Sequence, residues 1–127
     1  MATEILIDSD VMVDYFRGNS KAVALIQSHS AQLILPAIVI AELYAGVKGN
    51  DELQVIDRLI SVVRVAPLTN EIARAAGIYR NDYYKSHGVG LADAIVAATV
   101  DAYNAVLKTL NVKHYPMFRG LKPAYRK

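Results

Sequence analysis

The feature that most constrains the fold is a short apolar run near the N-terminus that ends in a carboxylate. Residues 5–7 (Ile-Leu-Ile) are apolar and rich in β-branching, which favours a central strand buried on both faces. The run stops at Asp8, and Ser9 or Asp10 can then cap a helix that continues to Phe16. Ligands of open α/β sheets bind at the carboxyl ends of the strands. The segment therefore predicts a strand–helix unit whose acids serve either a site or a simple turn and cap.

Short apolar runs alternate with helix-like stretches along the rest of the chain. Further strands are predicted at residues 33–35, 62–66 and 105–109, and the segment from Tyr115 onwards offers a short edge strand. Alternation of strands and helices favours a parallel sheet covered by helices on both faces. The prediction is one α/β domain over residues 1–127, with three α/β/α layers and a central parallel sheet of four to five strands.

The composition limits the classes of protein that the chain can represent. Hydrophobic residues make up 54% of the chain, so it can bury a sizeable core and disorder is not expected. No apolar run approaches the roughly 20 residues of a membrane span, and the N-terminus lacks a signal-peptide pattern. The absence of Cys excludes disulfides and thiolate metal sites and fits a reducing cytoplasm.

Basic residues gather near the C-terminus, although the formal net charge is only +2. Lys113, Arg119 and Lys122 lie in the last fifteen residues, together with Arg126 and Lys127. Such a segment can meet the phosphates of a nucleic acid. A solvated terminus is the alternative interpretation.

Four polar residues are candidates for a shared site. Asp8 and Asn111 both follow predicted strand ends, while Glu42 and Asp93 lie in the helices after the second strand and before the fourth. A parallel topology can bring all four to one end of the sheet. Each helical acid also has a structural interpretation: Glu42 as a solvent-facing residue, and Asp93 as a favourable charge in the first turn of a helix.

Three carboxylates without Cys or clustered His describe a site for a hard cation. Oxygen ligands favour Mg²⁺ or Mn²⁺, ions that keep several waters and bind substrate phosphates. Such a metal activates water and stabilises charge during phosphodiester hydrolysis. Because the chain contains 12 acids, the spacing alone is weak evidence.

Four segments of the chain give a more specific indication, because together they resemble a PIN-domain ribonuclease of the VapC toxin type. They occur in the family's order with similar gaps, from about Ile5 to the C-terminus. In chain order they are ILIDSDVMVDYF, LPAIVIAELYAGV, GLADAIVAATV and LKTLNVKHYPMF.

This resemblance implies an endoribonuclease that depends on Mg²⁺ or Mn²⁺. It assigns Asp8, Glu42 and Asp93 as metal ligands, and Asn111 falls on a fourth catalytic position that is often Asp. The resemblance also implies an RNA substrate, a cognate antitoxin that holds the enzyme inactive, and a homodimer.

Three other readings remain open at this point. A haloacid-dehalogenase-type phosphatase fits the opening segment, with Asp8 as nucleophile and Asp10 as general acid, but the later acidic pair that it needs is missing. A phosphate-accepting receiver module fits Lys108 but needs an Asp where Pro67 closes the third run. A PIN fold that binds RNA or protein without cleaving it is the third, because Asn111 replaces an acid.

Overall fold

The central sheet of the computed structural model, which describes residues 3–127, has parallel strands only. In this described part there are four strands, in the spatial order β3-β2-β1-β4. They are β1 (Ile5–Ile7), β2 (Leu33–Pro36), β3 (Arg64–Ala66) and β4 (Val106–Lys108). The predicted parallel α/β sheet is confirmed.

Strand β1 occupies an inner position, as its apolar sequence predicts. Its pairing with β2 aligns Ile5 with Leu33, and its pairing with β4 aligns Ile7 with Lys108. All three β1 side chains are buried, because neighbouring strands pair with both edges of β1 and helices cover the faces of the sheet. This strand therefore fixes the position of whatever follows Ile7.

Six α-helices surround the sheet within residues 3–127. They are α1 (Ser9–Phe16), α2 (Ser20–Ser28), α3 (Ala37–Ala45), α4 (Asn50–Ile60), α5 (Asn70–His87) and α6 (Leu91–Tyr103). Helix α6 packs against α3 and α5, and every residue from 94 to 100 is buried, as expected for a central helix of small apolar residues. None of the helices in this part of the chain is both long and apolar enough to cross a membrane.

The C-terminal segment does not add the optional fifth strand to the described sheet. It forms a 3₁₀ helix, Val112–His114, and then a series of turns. Pro116 and Pro123 lack the N–H that a strand would donate, which works against a ladder there. The segment is instead held by single bonds such as that from the Ala124 N–H to the Thr109 carbonyl oxygen, at 2.8 Å.

The end of the chain is tied to helix α1 through Asp14, a carboxylate that is only 4% exposed. The Tyr125 hydroxyl donates to Asp14 Oδ2 at 2.6 Å, and Lys127 Nζ donates to Asp14 Oδ1 at 3.0 Å. Lys127, one of the basic residues of the C-terminal segment, is therefore paired within the fold.

Candidate active site

Asp8 stands where β1 ends and α1 begins. Its extended backbone (φ −78°, ψ 161°) makes it the N-cap of α1, and its Oδ1 accepts a hydrogen bond from the Ser9 N–H at 2.8 Å. Its own N–H donates to the Lys108 carbonyl oxygen at 3.0 Å, which continues the pairing of β1 with β4. The expectation that Ser9 or Asp10 caps this helix is wrong, because Asp8 is the last extended residue.

Two hydroxyl groups hold the other oxygen of Asp8. Thr109 Oγ1 donates to Asp8 Oδ2 at 2.9 Å, and the Tyr115 hydroxyl donates to the same oxygen at 2.6 Å. Asp8 is 5% exposed, and both donors are buried. Three donors in total therefore compensate the burial of this carboxylate.

Asp93 lies next to Asp8, on the first turn of α6. Its Oδ1 is 3.5 Å from the Tyr115 hydroxyl, so one tyrosine oxygen lies between the two acids. Its Oδ2 is 3.2 Å from His114 Nδ1. Partial burial raises the pKa of Asp93, and the charge of Asp8 raises it further, while His114 and Tyr115 act in the opposite direction.

Asp10 is a fourth acid at this end of the sheet, and the sequence interpretation as a cap missed its position. Its Oδ1 accepts from the Val11 N–H at 2.8 Å, and its Oδ2 accepts from the Leu110 N–H at 3.0 Å. Burial and then the charge of Asp8 raise its pKa, against the effect of these backbone donors. The sequence does contain a signal for this position of Asp10: it lies two residues after Asp8, which directly follows a strand.

Glu42, in the middle of α3, is the most exposed of the acids. Partial desolvation raises its pKa, and the negative charges of Asp8, Asp93 and Asp10 add to this effect. Among residues 3–127 no hydrogen bond joins Glu42 directly to these three side chains. Glu42 therefore lies within the electrostatic field of the cluster.

The Asn111 side chain is not brought into the cluster in the same way. Asn111 is exposed and precedes the 3₁₀ helix, and its backbone N–H donates to Thr109 Oγ1 at 3.2 Å. No hydrogen bond in the described chain joins its amide group to Asp8, Glu42 or Asp93. Asn111 is connected to the site only through its backbone N–H, which bonds to Thr109, a partner of Asp8.

The predicted basic residues lie in the C-terminal segment, which also carries His114 and Tyr115. Lys113 directly precedes His114, which reaches Asp93. Lys113, Arg119 and Lys122 are all exposed. No intramolecular ion pair within residues 3–127 involves any of the three.

The donor set fits a hard divalent cation, although no cage is preformed. Among residues 3–127 no three Asp, Glu or His side chains are already arranged to hold one metal ion. In that same range no Lys or Arg forms an ion pair with Asp8, Asp10, Glu42 or Asp93, so their mutual repulsion is left for an added cation to relieve. Mg²⁺ typically binds through one or two carboxylates, several waters and substrate phosphates, which this arrangement can provide.

Comparison with known proteins gives consistent results. A model of the PIN domain family matches residues 5–115. The chain is 40% identical to Ribonuclease VapC10 of Mycobacterium tuberculosis over 124 residues, which cover 95% of this chain and 92% of that protein. It is 36% identical to Ribonuclease VapC19 of the same organism, with 94% and 98% covered.

A solved structure has the same fold as this chain. A chain of a toxin–antitoxin complex from Klebsiella pneumoniae superposes with a TM-score of 0.80 at 24% identity, covering 98% of this chain and all of that one. The structural match, the family model and the two relatives agree over nearly the whole length. The chain therefore belongs to the PIN domain family, among the VapC proteins.

Proposed function

We propose that this protein is a divalent-metal-dependent endoribonuclease and the toxin of a type II toxin–antitoxin pair. The observation that carries the proposal is the pair of acids Asp8 and Asp93, which lie 2.6 and 3.5 Å from the same tyrosine hydroxyl at the end of β1. Glu42 and Asp10 lie within their field, and within residues 3–127 no Lys or Arg neutralises them. The relatives named above are called ribonucleases, which supports RNA as the substrate.

Asp8, Asp93 and Glu42 are the residues that would hold Mg²⁺ or Mn²⁺. The bound ion would supply an activated water and stabilise the charge of the phosphodiester as it is hydrolysed. Asp8 is held by Ser9 and Thr109 and so presents its carboxylate in a fixed orientation. Asn111 is proposed as a neutral neighbour of the site, in a position where other members of the family often carry an acid.

The exposed basic residues Lys113, Arg119 and Lys122 are proposed to bind the RNA backbone. Contacts from Lys and Arg to phosphates position a nucleic acid without reading its sequence. Lys113 is the best placed of the three, because it adjoins the 3₁₀-helix residue that reaches Asp93. We place the reaction in the cytoplasm, where RNA is available.

An antitoxin is the proposed protein partner, supported by the toxin–antitoxin complex that shares this fold. A cleft of about 400 Å³ between α1, α3 and α4 is lined by apolar residues such as Val13, Val47 and Val55 and by five charged residues, one of which is Glu42. A segment bound there would contact Glu42, one of the proposed metal ligands. Expression without the antitoxin is expected to slow growth, and harmless accumulation of the folded protein would contradict this.

The homodimer is proposed from the resemblance and is tested by the mass of the purified protein.

A PIN fold that binds RNA without cleaving it is the second candidate function. Two observations favour it: Asn111 replaces an acid, and no metal cage is preformed in the described chain. The haloacid-dehalogenase-type phosphatase is not proposed, because the family assignment leaves it without support.

The deciding experiment incubates the purified protein with structured RNA in Mg²⁺, in Mn²⁺ and in EDTA. Cleavage is expected with either metal and is expected to stop in EDTA. Cleavage that persists in EDTA would contradict the proposed mechanism. Binding of the RNA without cleavage under any of these conditions would favour the second candidate.

A further inference from the structure

We propose that Tyr115 is a positioning residue, which holds Asp8 and Asp93 in the orientation that takes up a divalent cation. This inference rests on the proposed function and deepens it. The family resemblance assigns three acids and Asn111, and neither composition nor spacing points to this tyrosine.

The geometry places one hydroxyl group between two carboxylates. The Tyr115 hydroxyl donates to Asp8 Oδ2 at 2.6 Å and lies 3.5 Å from Asp93 Oδ1. A tyrosine hydroxyl has a single proton, so it donates to the nearer acid and turns toward the second only when the first bond is released. The two carboxylates are therefore coupled through one oxygen atom.

The ring of Tyr115 is buried and packed, which limits the movement of its hydroxyl away from the acids. The residue is 1% exposed, and its ring stacks on that of Phe118 with centroids 6.3 Å apart and planes inclined by 13°. The hydroxyl is a protonated donor at neutral pH, as tyrosine hydroxyls ordinarily are. A neutral, fixed donor between two acids is suited to keeping them together against their repulsion.

Tyr115 acts through the carboxylates and does not need to touch the substrate. Its side chain is buried and its one proton is already committed to Asp8. Groups that hydrogen-bond to metal ligands orient those ligands, and their removal typically weakens metal affinity by about 10- to 100-fold.

The substitution Tyr115→Phe tests this role with little disturbance to packing. It keeps the ring against Phe118 and removes only the hydroxyl, while Asp8 keeps the Ser9 N–H and the Thr109 hydroxyl as donors. Titration calorimetry with Mn²⁺ alone on both proteins is expected to show a Kd that is at least about tenfold weaker in the variant. In assays with RNA, kcat is expected to fall at limiting Mn²⁺ while KM for RNA changes little.

A matched control is Tyr125→Phe, which also removes a hydroxyl that lies 2.6 Å from a buried carboxylate, in this case Asp14. This control is expected to lower the thermal midpoint and to leave the Kd for Mn²⁺ unchanged. A purely structural role of Tyr115 would give the same pattern in Tyr115→Phe.

The outcomes separate this inference from the proposed function. If the wild type binds Mn²⁺ and Tyr115→Phe binds it equally well or more tightly, the role of Tyr115 is overturned and the nuclease proposal stands. If the wild type does not bind Mn²⁺, with or without RNA, both are overturned. If Tyr115→Phe is unfolded at 25 °C, both proteins are titrated in trimethylamine N-oxide, which favours the compact state, and the same criteria apply.

Discussion

Thr109 and Asp8 meet at the carboxyl ends of two neighbouring strands, where the Thr109 hydroxyl donates a 2.9 Å hydrogen bond to Asp8 Oδ2. Asp8 follows β1 and Thr109 follows β4, and these strands pair in parallel. The same hydroxyl accepts a hydrogen bond from the Asn111 N–H at 3.2 Å. One buried side chain thus fixes both the carboxylate and the loop that leads to Tyr115.

The first prediction concerns the substitution Thr109→Val, which conserves shape and removes the hydroxyl. Thr109 is fully buried, so the loss leaves Asp8 and the Asn111 N–H each short of one partner and removes a longer contact of 3.4 Å to Asp10 Oδ2. We expect the free energy of unfolding to fall by about 1–3 kcal/mol, the usual effect of an unpaired buried group. Urea denaturation of both proteins measures it.

Thr99→Val is the matched control, because Thr99 is also a buried threonine. Its hydroxyl bonds only to the Ile95 carbonyl oxygen one turn back in α6, at 2.7 Å. Its loss leaves no carboxylate short of a donor, so we expect a change of about 0.5–1.5 kcal/mol at most. Equal effects of the two substitutions would mean that the bond from Thr109 to Asp8 has no special weight.

The sheet could be predicted from the sequence because local patterns determine it. The apolar run of residues 5–7 and the alternation of strands with helices are sufficient for a parallel sheet whose strand ends share one edge. Asp8 and Asp93 could be placed at that edge for the same reason. The fifth edge strand was optional in the sequence, since the C-terminal segment mixes apolar residues with prolines.

The hydroxyl groups around Asp8 could not be predicted in this way. Thr109 and Tyr115 reach Asp8 across about a hundred residues, and their contacts depend on the path of the C-terminal turns. The sequence of this segment has no helical or strand periodicity. Its path depends on single hydrogen bonds, such as that from the Ala124 N–H to the Thr109 carbonyl oxygen. Asp10 was misjudged for another reason: an acid at the start of a helix is common for purely local reasons.

The second prediction concerns Asp93→Asn. If Asp93 holds the metal ion, the variant should fold and lose most of its Mn²⁺-dependent cleavage of RNA. If Asp93 only favours the N-terminus of α6, the loss of its charge should lower stability by about 0.3–1 kcal/mol and leave cleavage intact. Cleavage rates and thermal midpoints, measured on the same preparations, separate the two cases.

Asp101→Asn provides the control for this prediction. Asp101 lies near the other end of α6 and accepts a hydrogen bond from the Tyr79 hydroxyl, away from the acid cluster. We expect full cleavage activity in this variant. A comparable loss of cleavage in both variants would point to a general effect on α6.

The third prediction concerns the pH dependence of Glu42→Gln in the metal-free protein. Desolvation and the neighbouring acids raise the pKa of Glu42 above its value in the unfolded chain. The folded chain then binds more protons, so the contribution of Glu42 to stability is greatest at low pH and falls as the pH rises through the raised pKa. Removal of the charge should therefore raise the thermal midpoint at pH 7 and change it little at pH 4, in EDTA.

Asp82→Asn is the matched control for the loss of one negative charge. Asp82 is exposed on α5, and we expect its replacement to leave the difference between pH 7 and pH 4 unchanged. Addition of Mg²⁺ at pH 7 should stabilise the wild type more than Glu42→Gln, since a ligand that binds only the folded state stabilises it. A midpoint that does not rise in Glu42→Gln at pH 7 would show that Glu42 is outside the field of the other acids.

The fourth prediction concerns Asn111, whose side chain makes no hydrogen bond to Asp8, Glu42 or Asp93 in the described chain. Because the residue is exposed and only its N–H is engaged, Asn111→Asp should add a charge without the loss of a contact. Attraction between this charge and a divalent ion across a partly solvated distance is on the order of 1 kcal/mol, which corresponds to a several-fold tighter Kd for Mn²⁺. We expect one site per chain in the free protein, since a second ion would be repelled by the first.

Asn81→Asp is the matched control. Asn81 is an exposed residue of α5, so this substitution adds the same charge elsewhere and should leave the Kd for Mn²⁺ unchanged. If calorimetry gives the same affinity and stoichiometry for Asn111→Asp as for the wild type, Asn111 serves only as a turn residue after β4.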